Sequence, residues 1–429
     1  MVAPARPPWH APGTQRPRLR RFRLAGGDRR RWNPGRPGNI GDPPSDGVAT
    51  PRHRADESEP RGPVRRIRRP FPGIRPVSDG TTSHPDSHAR DEAIRELAAK
   101  HSGLPDGRRR SLVEQMIATS LRLGRDDSHT GELKLINSAL KELRYSYRVF
   151  RPWMLRRKIS IFGSARTPED HADYVAAREF GRLMGEADWM SITGAGDGIM
   201  KAGHEGPGHE ASFGLRIRLP FETTANEVIA ADPKLINFRY FFTRKVMFLT
   251  HSDAIAALPG GFGTMDELFE ALTLIQTGKS YPMPIILLEG EGGSYWRRWV
   301  DFVREELLDN GWLSAADTSL LEIASDPADA RDRVLRFYRV YHSCRYVRDE
   351  FVIRLKRRLT EAERADLERR FGVLAKDGVL KSSGPLDGEE EHLDLPRLHF
   401  TSKRRDFGIL RQLIDAINDL DPTPTADSA

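Results

Sequence analysis

Leu258-Pro259-Gly260-Gly261-Phe262-Gly263-Thr264-Met265-Asp266-Glu267 is the stretch that decides how this chain is read. An apolar run, Ala254 to Leu258, precedes the glycines and reads as a buried strand. Leu268, Phe269, Leu272 and Ile275 follow at helical spacing. The glycines therefore fall on a strand-to-helix turn. Without a Cβ the backbone can approach a ligand closely there, and the helix start offers unpaired N–H groups and a positive dipole end. The expected device is a phosphate cradle.

Outward from this turn, strands and helices alternate. Ile159 to Phe162, Trp189 to Thr193, Phe213 to Leu219, Pro284 to Leu288 and Leu320 to Ala324 read as further strands. Helices are expected at about Pro168 to Ala187, from Gly198, and at Phe238 to Thr250, Thr264 to Thr277, Tyr295 to Leu308 and Pro327 to Val340. Such alternation predicts an α/β fold, a Rossmann-like doubly wound parallel sheet covered on both faces. Ligands bind beyond the carboxyl ends of its strands, and all three glycine turns fall at that edge. Amphipathic stretches at Leu112–Leu123 and Leu133–Tyr147 predict an N-terminal helical segment. A β-α-β-β-α pattern after Phe351 predicts a small C-terminal α+β subdomain. The expected organisation is a tail over 1–87, helices over 88–156, the Rossmann-like domain over 157–342 and the subdomain over 343–429.

The formal charge of +7 over 429 residues invites a nucleic-acid reading, but it is unevenly spread. Residues 1–80 hold 18 Arg, no Lys and 7 acidic residues, so the remainder carries a net charge of −4. Half of the 30 prolines also lie in that tail. It lacks the apolar surface to offset its ordering entropy, so disorder is expected, and no nucleic-acid partner is implied. A start codon further downstream is another reading of it. The sequence has no apolar run of membrane-spanning length and no secretory signal, and Cys344 is its only cysteine. A soluble, cytoplasmic protein without membrane partners is expected.

Other motifs give way to blander readings. Gly194-Ala195-Gly196-Asp197-Gly198 lacks dinucleotide spacing and follows the second strand, so NAD is disfavoured. Its Ala195 calls for a negative φ to house the methyl. Gly278-Lys279-Ser280 has Thr273 where a P-loop needs glycine, and reads as a helix stop. His204 and His209 are five apart and do not share a helix face, so no metal site is expected. No Gly-x-Ser-x-Gly elbow occurs. Thr264-x-x-Glu267 fits a capping box, which would explain both residues structurally. The carboxylate is expected at a helix start, where the dipole favours its ionised form.

Taken together, Pro259-Gly260-Gly261-x-Gly263-Thr264-x-x-Glu267 resembles the signature of the LOG (Lonely Guy) family of nucleoside-monophosphate phosphoribohydrolases. Gly194 to Met200 resembles that family's second glycine motif, with Ala195 in place of its middle glycine. Gly163-Ser164 matches its first turn, and Arg244-Lys245 its Arg-Lys pair, although Thr243 stands where the family usually has Glu. The aromatic run Phe238 to Phe242 is similar to the longer bacterial members. The resemblance implies Arg244 and Glu267 as the catalytic pair. Gly260, Gly261, Gly263 and Thr264 would hold the substrate 5′-phosphate, with Ser164, Gly194 and Lys245 as further substrate contacts. It implies a nucleoside monophosphate as substrate, no metal or other cofactor, and a homodimer or higher homo-oligomer. Cleavage of the N-glycosidic bond would give free base and ribose 5-phosphate. The same fold without turnover would be a nucleotide sensor. A decarboxylase, a label sometimes attached to the family, would need a Schiff-base lysine for pyridoxal phosphate, and no lysine is positioned for it.

Overall fold

A computed structural model describes residues 85–220 and 224–422. The Arg-rich tail, whose disorder composition predicts, lies outside the described residues over 1–84. Three helices come first: α1 (Pro85–His101), α2 (Arg108–Arg125) and α3 (Thr130–Phe150).

The parallel sheet follows. Its elements are β1 (Lys158–Phe162), α4 (Ala172–Glu186), β2 (Met190–Thr193), α5 (Ile199–Glu205), β3 (Ser212–Ile217), β4 (Leu235–Phe238) and α6 (Phe241–His251). Then come β5 (Ala254–Ala257), α7 (Phe262–Gln276), β6 (Ile285–Leu287), α8 (Tyr295–Phe302), β7 (Glu322–Ile323) and α9 (Pro327–Phe337). The seven strands lie in the order β4-β3-β2-β1-β5-β6-β7, and every pairing is parallel. β1 and β5 are buried along their whole length, as central parallel strands must be when helices cover both faces. Strand order reverses between β1 and β5, so this is the crevice where a doubly wound sheet receives its ligand.

β4 lies where the sequence pattern predicts no strand. Leu235–Phe238 pairs with β3 through Ile217 opposite Phe238, and the Phe238 side chain is buried. The aromatic helix therefore begins at Phe241, three residues later than its composition suggests. A four-residue edge strand is too short to show a period of its own. At the far end of α7 the stop signal is real: Gly278 takes φ +69 and its N–H bonds to Ile275.

The C-terminal part contains β8 (Tyr341–Val347), β9 (Glu350–Leu355), α10 (Glu361–Phe371), β10 (Lys381–Ser383), β11 (Arg397–Thr401) and α11 (Phe407–Asp419). Its sheet is antiparallel, in the order β10-β11-β9-β8. β8 lies where the sequence pattern predicts no strand. Phe351, Ile353, Phe400, Leu413 and Ile414 share one core with Phe180, Trp189, Val334 and Phe337, so this part packs on the α4–α9 side of the parallel sheet. The acidic loop after β10 is pinned by a buried cluster, in which Glu389 accepts hydrogen bonds from Arg354 and Arg397.

Candidate functional site

Three turns lock together at the β1/β5 crevice. The Ser164 N–H donates to the Pro259 carbonyl at 3.1 Å, tying the β1 turn to the β5 turn. The Ser164 carbonyl accepts from Ile199 N–H at 3.0 Å, tying the β1 turn to the start of α5. Gly198 makes that approach possible: it adopts φ +58, and a Cβ there would overlap the Ser164 carbonyl. The Ser164 hydroxyl accepts from Arg166 N–H at 3.1 Å and is half-buried beside the crevice.

The β5 turn uses its glycines for two different reasons. A Cβ on Gly260 would overlap Thr264 Oγ1, so glycine is a steric necessity there. Around Gly261 and Gly263 a Cβ would meet nothing, and both residues are exposed. The first bond of α7 runs from Met265 N–H to the Gly261 carbonyl. The N–H groups before it belong to the helix start, where no intrahelical carbonyl is available to them. Tyr295 donates its hydroxyl to the Gly260 carbonyl at 2.6 Å and fixes the turn from the side of α8.

Ala195 departs from expectation. It is fully buried yet holds φ +62, the left-handed region that a methyl disfavours. The conformation is over-determined by its surroundings. Ala195 N–H donates to Thr193 Oγ1 at 3.0 Å, and its carbonyl accepts from Asn226 N–H at 2.9 Å. Asn226 Nδ2 donates to the Gly196 carbonyl at 2.8 Å, and His204 Nε2 lies 3.0 Å from both Thr193 Oγ1 and the Phe213 carbonyl. A carbonyl can only accept, so Nε2 carries the proton and Nδ1 takes one from Asn226. Burial lowers the His204 pKa to about 4, so the ring is neutral. The sequence raised His204 only as a metal ligand and did not raise Asn226. Both support the second turn, and no local pattern marks them.

Arg244 and Lys245 on α6 face α7. Gly194 lies directly under the Arg244 guanidinium: a Cβ on it would stand 2.9 Å from Arg244 Nη2 and 2.6 Å from Met200 Sδ. Gly194 is itself buried, so what it provides is room for the arginine. The guanidinium also sits 5.2 Å from the Phe248 ring centroid. Lys245 Nζ pairs with Asp266 at 2.8 Å and with Glu270 at 2.7 Å, one turn apart on α7. Burial alone would lower the Lys245 pKa, but the two carboxylates outweigh it and the net shift is upward.

Glu267 is 8 % exposed. Burial raises its pKa to about 7, against the downward pull of Arg244 and Lys245. The capping-box reading does not survive. Helix α7 begins at Phe262 with Gly261 as its N-cap and no side-chain cap, so Thr264 is the third helical residue and Glu267 the sixth. Glu267 is thus beyond the first turn, where the dipole would favour its ionised form. Desolvation decides its titration instead. A cavity of about 780 Å³ opens elsewhere on α7, lined by Met265, Phe269, Tyr295 and Trp299. Neither Arg244 nor Glu267 lines it, because Met265 and Phe269 project from the helix well away from Glu267. Among the described residues no group of three or more metal-ligating side chains occurs, and no helix is long and apolar enough to cross a membrane.

A model of the family described as "Possible lysine decarboxylase" matches residues 194–334. This chain is 26 % identical over 178 residues to the probable cytokinin riboside 5′-monophosphate phosphoribohydrolase LOG4 of Oryza sativa subsp. japonica, covering 40 % of this chain and 74 % of that protein. It is 28 % identical over 163 residues to the cytokinin riboside 5′-monophosphate phosphoribohydrolase LOG3 of Arabidopsis thaliana, covering 37 % and 72 %. Over this stretch the chain is similar to the LOG family. Among solved structures, the molybdenum cofactor carrier protein of Chlamydomonas reinhardtii aligns with a TM-score of 0.30 and 23 % identity, over 42 % of this chain and 97 % of that one. The family match spans both members of the expected catalytic pair, from Gly194 through Glu267 to Val334.

Proposed function

We propose that this protein hydrolyses the N-glycosidic bond of a nucleoside 5′-monophosphate. The observation that carries the reading is a buried carboxylate, Glu267, held near Arg244 and Lys245 on the helix that begins at an exposed glycine turn. The 5′-phosphate sits on Gly260, Gly261, Gly263 and Thr264, where the start of α7 presents N–H groups. The ribose then lies toward Glu267 and Arg244. Bond cleavage builds positive charge on the sugar, and the ionised Glu267 stabilises it. The bonding electron pair leaves with the base, which takes up a proton, and water adds its oxygen to C1′. A carboxylate with a pKa of about 7 also accepts the proton that this water sheds. Arg244 holds the substrate and polarises the departing base.

A decarboxylase would need a neutral amine for its Schiff base, and the two carboxylates hold Lys245 protonated instead. Phe241, Phe242 and Val246 are exposed on α6 and Phe262 is 97 % exposed at the head of α7, which supports a homodimer formed beside the site. The relatives' names point to cytokinin nucleotides, whereas AMP is the simplest substrate of this shape. Base release from a panel of nucleoside monophosphates, followed by chromatography with adenosine as the control, tests the reading. Release from monophosphates with none from adenosine is the expected result. Binding without any release would make the protein a nucleotide sensor.

A further inference from the structure

Helix α6 carries Arg244, yet the residue that opens it, Tyr240, supplies no side-chain cap. The missing group comes from α3, about a hundred residues earlier. Glu142 Oε1 accepts from Arg239 N–H at 2.8 Å, and Glu142 Oε2 accepts from the Thr243 hydroxyl at 2.6 Å. Thr243 Oγ1 also lies 2.9 Å from the Tyr240 carbonyl, but its single proton is better placed on the charged acceptor. Thr243 is fully buried, so the pair is shielded from water on that side. An anion at the helix start also matches the positive end of the α6 dipole.

The same helix grips the other end of α6. Phe150 stacks on His251 with ring centroids 3.9 Å apart and planes 12° from parallel, and Tyr147 meets the His251 ring edge-on at 5.7 Å. Glu142 to Phe150 and Thr243 to His251 are equal spans of helix, so α3 runs alongside α6 in the same direction for about 12 Å. Arg244 sits immediately after the upper grip.

We propose that Glu142 is a positioning residue that sets Arg244 through Thr243 and the Arg239 amide, making α3 a working part of the site. This rests on the hydrolase reading above. Loss of the Glu142 carboxylate frees the first turn of α6 and lets the guanidinium leave its seat over Gly194.

Glu142→Ala, Thr243→Val, Thr243→Ser and Arg244→Ala are made in the full chain, together with the Glu142→Ala/Arg244→Ala pair. AMP turnover, AMP affinity by calorimetry and thermal midpoints are measured. Glu142→Ala and Thr243→Val should each lower kcat about tenfold or more, the scale of a small misplacement of a catalytic group. Thr243→Ser, which keeps the hydroxyl, should retain most of it. The pair should be no slower than Arg244→Ala alone, because a residue that acts through Arg244 has nothing left to act on. A fall in thermal midpoint with kcat unchanged, or a pair in which the two losses multiply, overturns the proposal. If Glu142→Ala does not fold, Glu142→Gln keeps the volume and one acceptor, and should give a smaller kcat loss of the same kind. Absence of base release by the wild type refutes the hydrolase reading alone, since the masking by Arg244→Ala is then read in AMP affinity. Absence of both turnover and AMP binding overturns both.

Discussion

Replacing Glu267 with glutamine should make the protein more stable and far less active, and pH should control the first effect. Burial raises the Glu267 pKa from an ordinary 4.5 to about 7. A carboxyl whose pKa rises on folding binds its proton more tightly in the folded state. Wild-type stability therefore falls as pH climbs from about 4.5, and the full penalty is present above about 7. The difference between those values corresponds to at most about 3 kcal/mol. The attraction of Arg244 and Lys245 is already contained in it. Glutamine has nearly the same shape and no charge to desolvate. At pH 8 the variant should gain up to about 3 kcal/mol, or several degrees in thermal midpoint for a chain of this size. At pH 4.5 the gain should nearly vanish. Turnover of AMP at pH 8 should fall by about 10²-fold or more, the scale of losing one electrostatic group. Scanning calorimetry from pH 4.5 to 8, paired with chromatographic base release, reads both quantities. A thermal midpoint that does not rise, or a gain that does not depend on pH, would refute the claim that the carboxylate is desolvated. Near-normal turnover would return Glu267 to a structural role.

The wild-type rate should itself rise with pH through about 7 as Glu267 ionises, and that limb should be missing from the residual activity of Glu267→Gln. Gly194→Ala should leave the fold intact but push the Arg244 guanidinium aside, so its kcat should approach that of Arg244→Ala; wild-type kcat would show that the two do not touch. Gly261→Ala, whose Cβ meets open space, should fold normally and weaken phosphate binding, whereas Gly260→Ala should lower the thermal midpoint through its clash with Thr264. Ala195→Gly should relieve the left-handed strain and stabilise by about 0.5–1 kcal/mol, and a stability loss in denaturant melts would contradict that account. Glu389→Ala leaves Arg354 and Arg397 buried without their shared carboxylate and should cost about 3–5 kcal/mol, with little change in turnover per folded molecule.

What the sequence determined was local. Ala254 to Ile275 showed an apolar run, three glycines and a helical period within a single stretch, so the strand-turn-helix was legible. Alternating strands and helices gave the parallel sheet for the same reason, since period and punctuation are carried by neighbours in the chain. The expected capping box failed because the helix begins three residues earlier than that box requires, at a boundary that side-chain patterns define poorly. Only the tertiary structure decided the rest. The left-handed Ala195 is imposed by Thr193 and Asn226, and the neutral His204 by burial against Phe213. The pKa of Glu267 is set by how much water the surrounding helices exclude and by charges on α6. Glu142 meets Thr243 across 101 residues. Each of these depends on distance in space, on which chain order is silent until helices pack on the sheet.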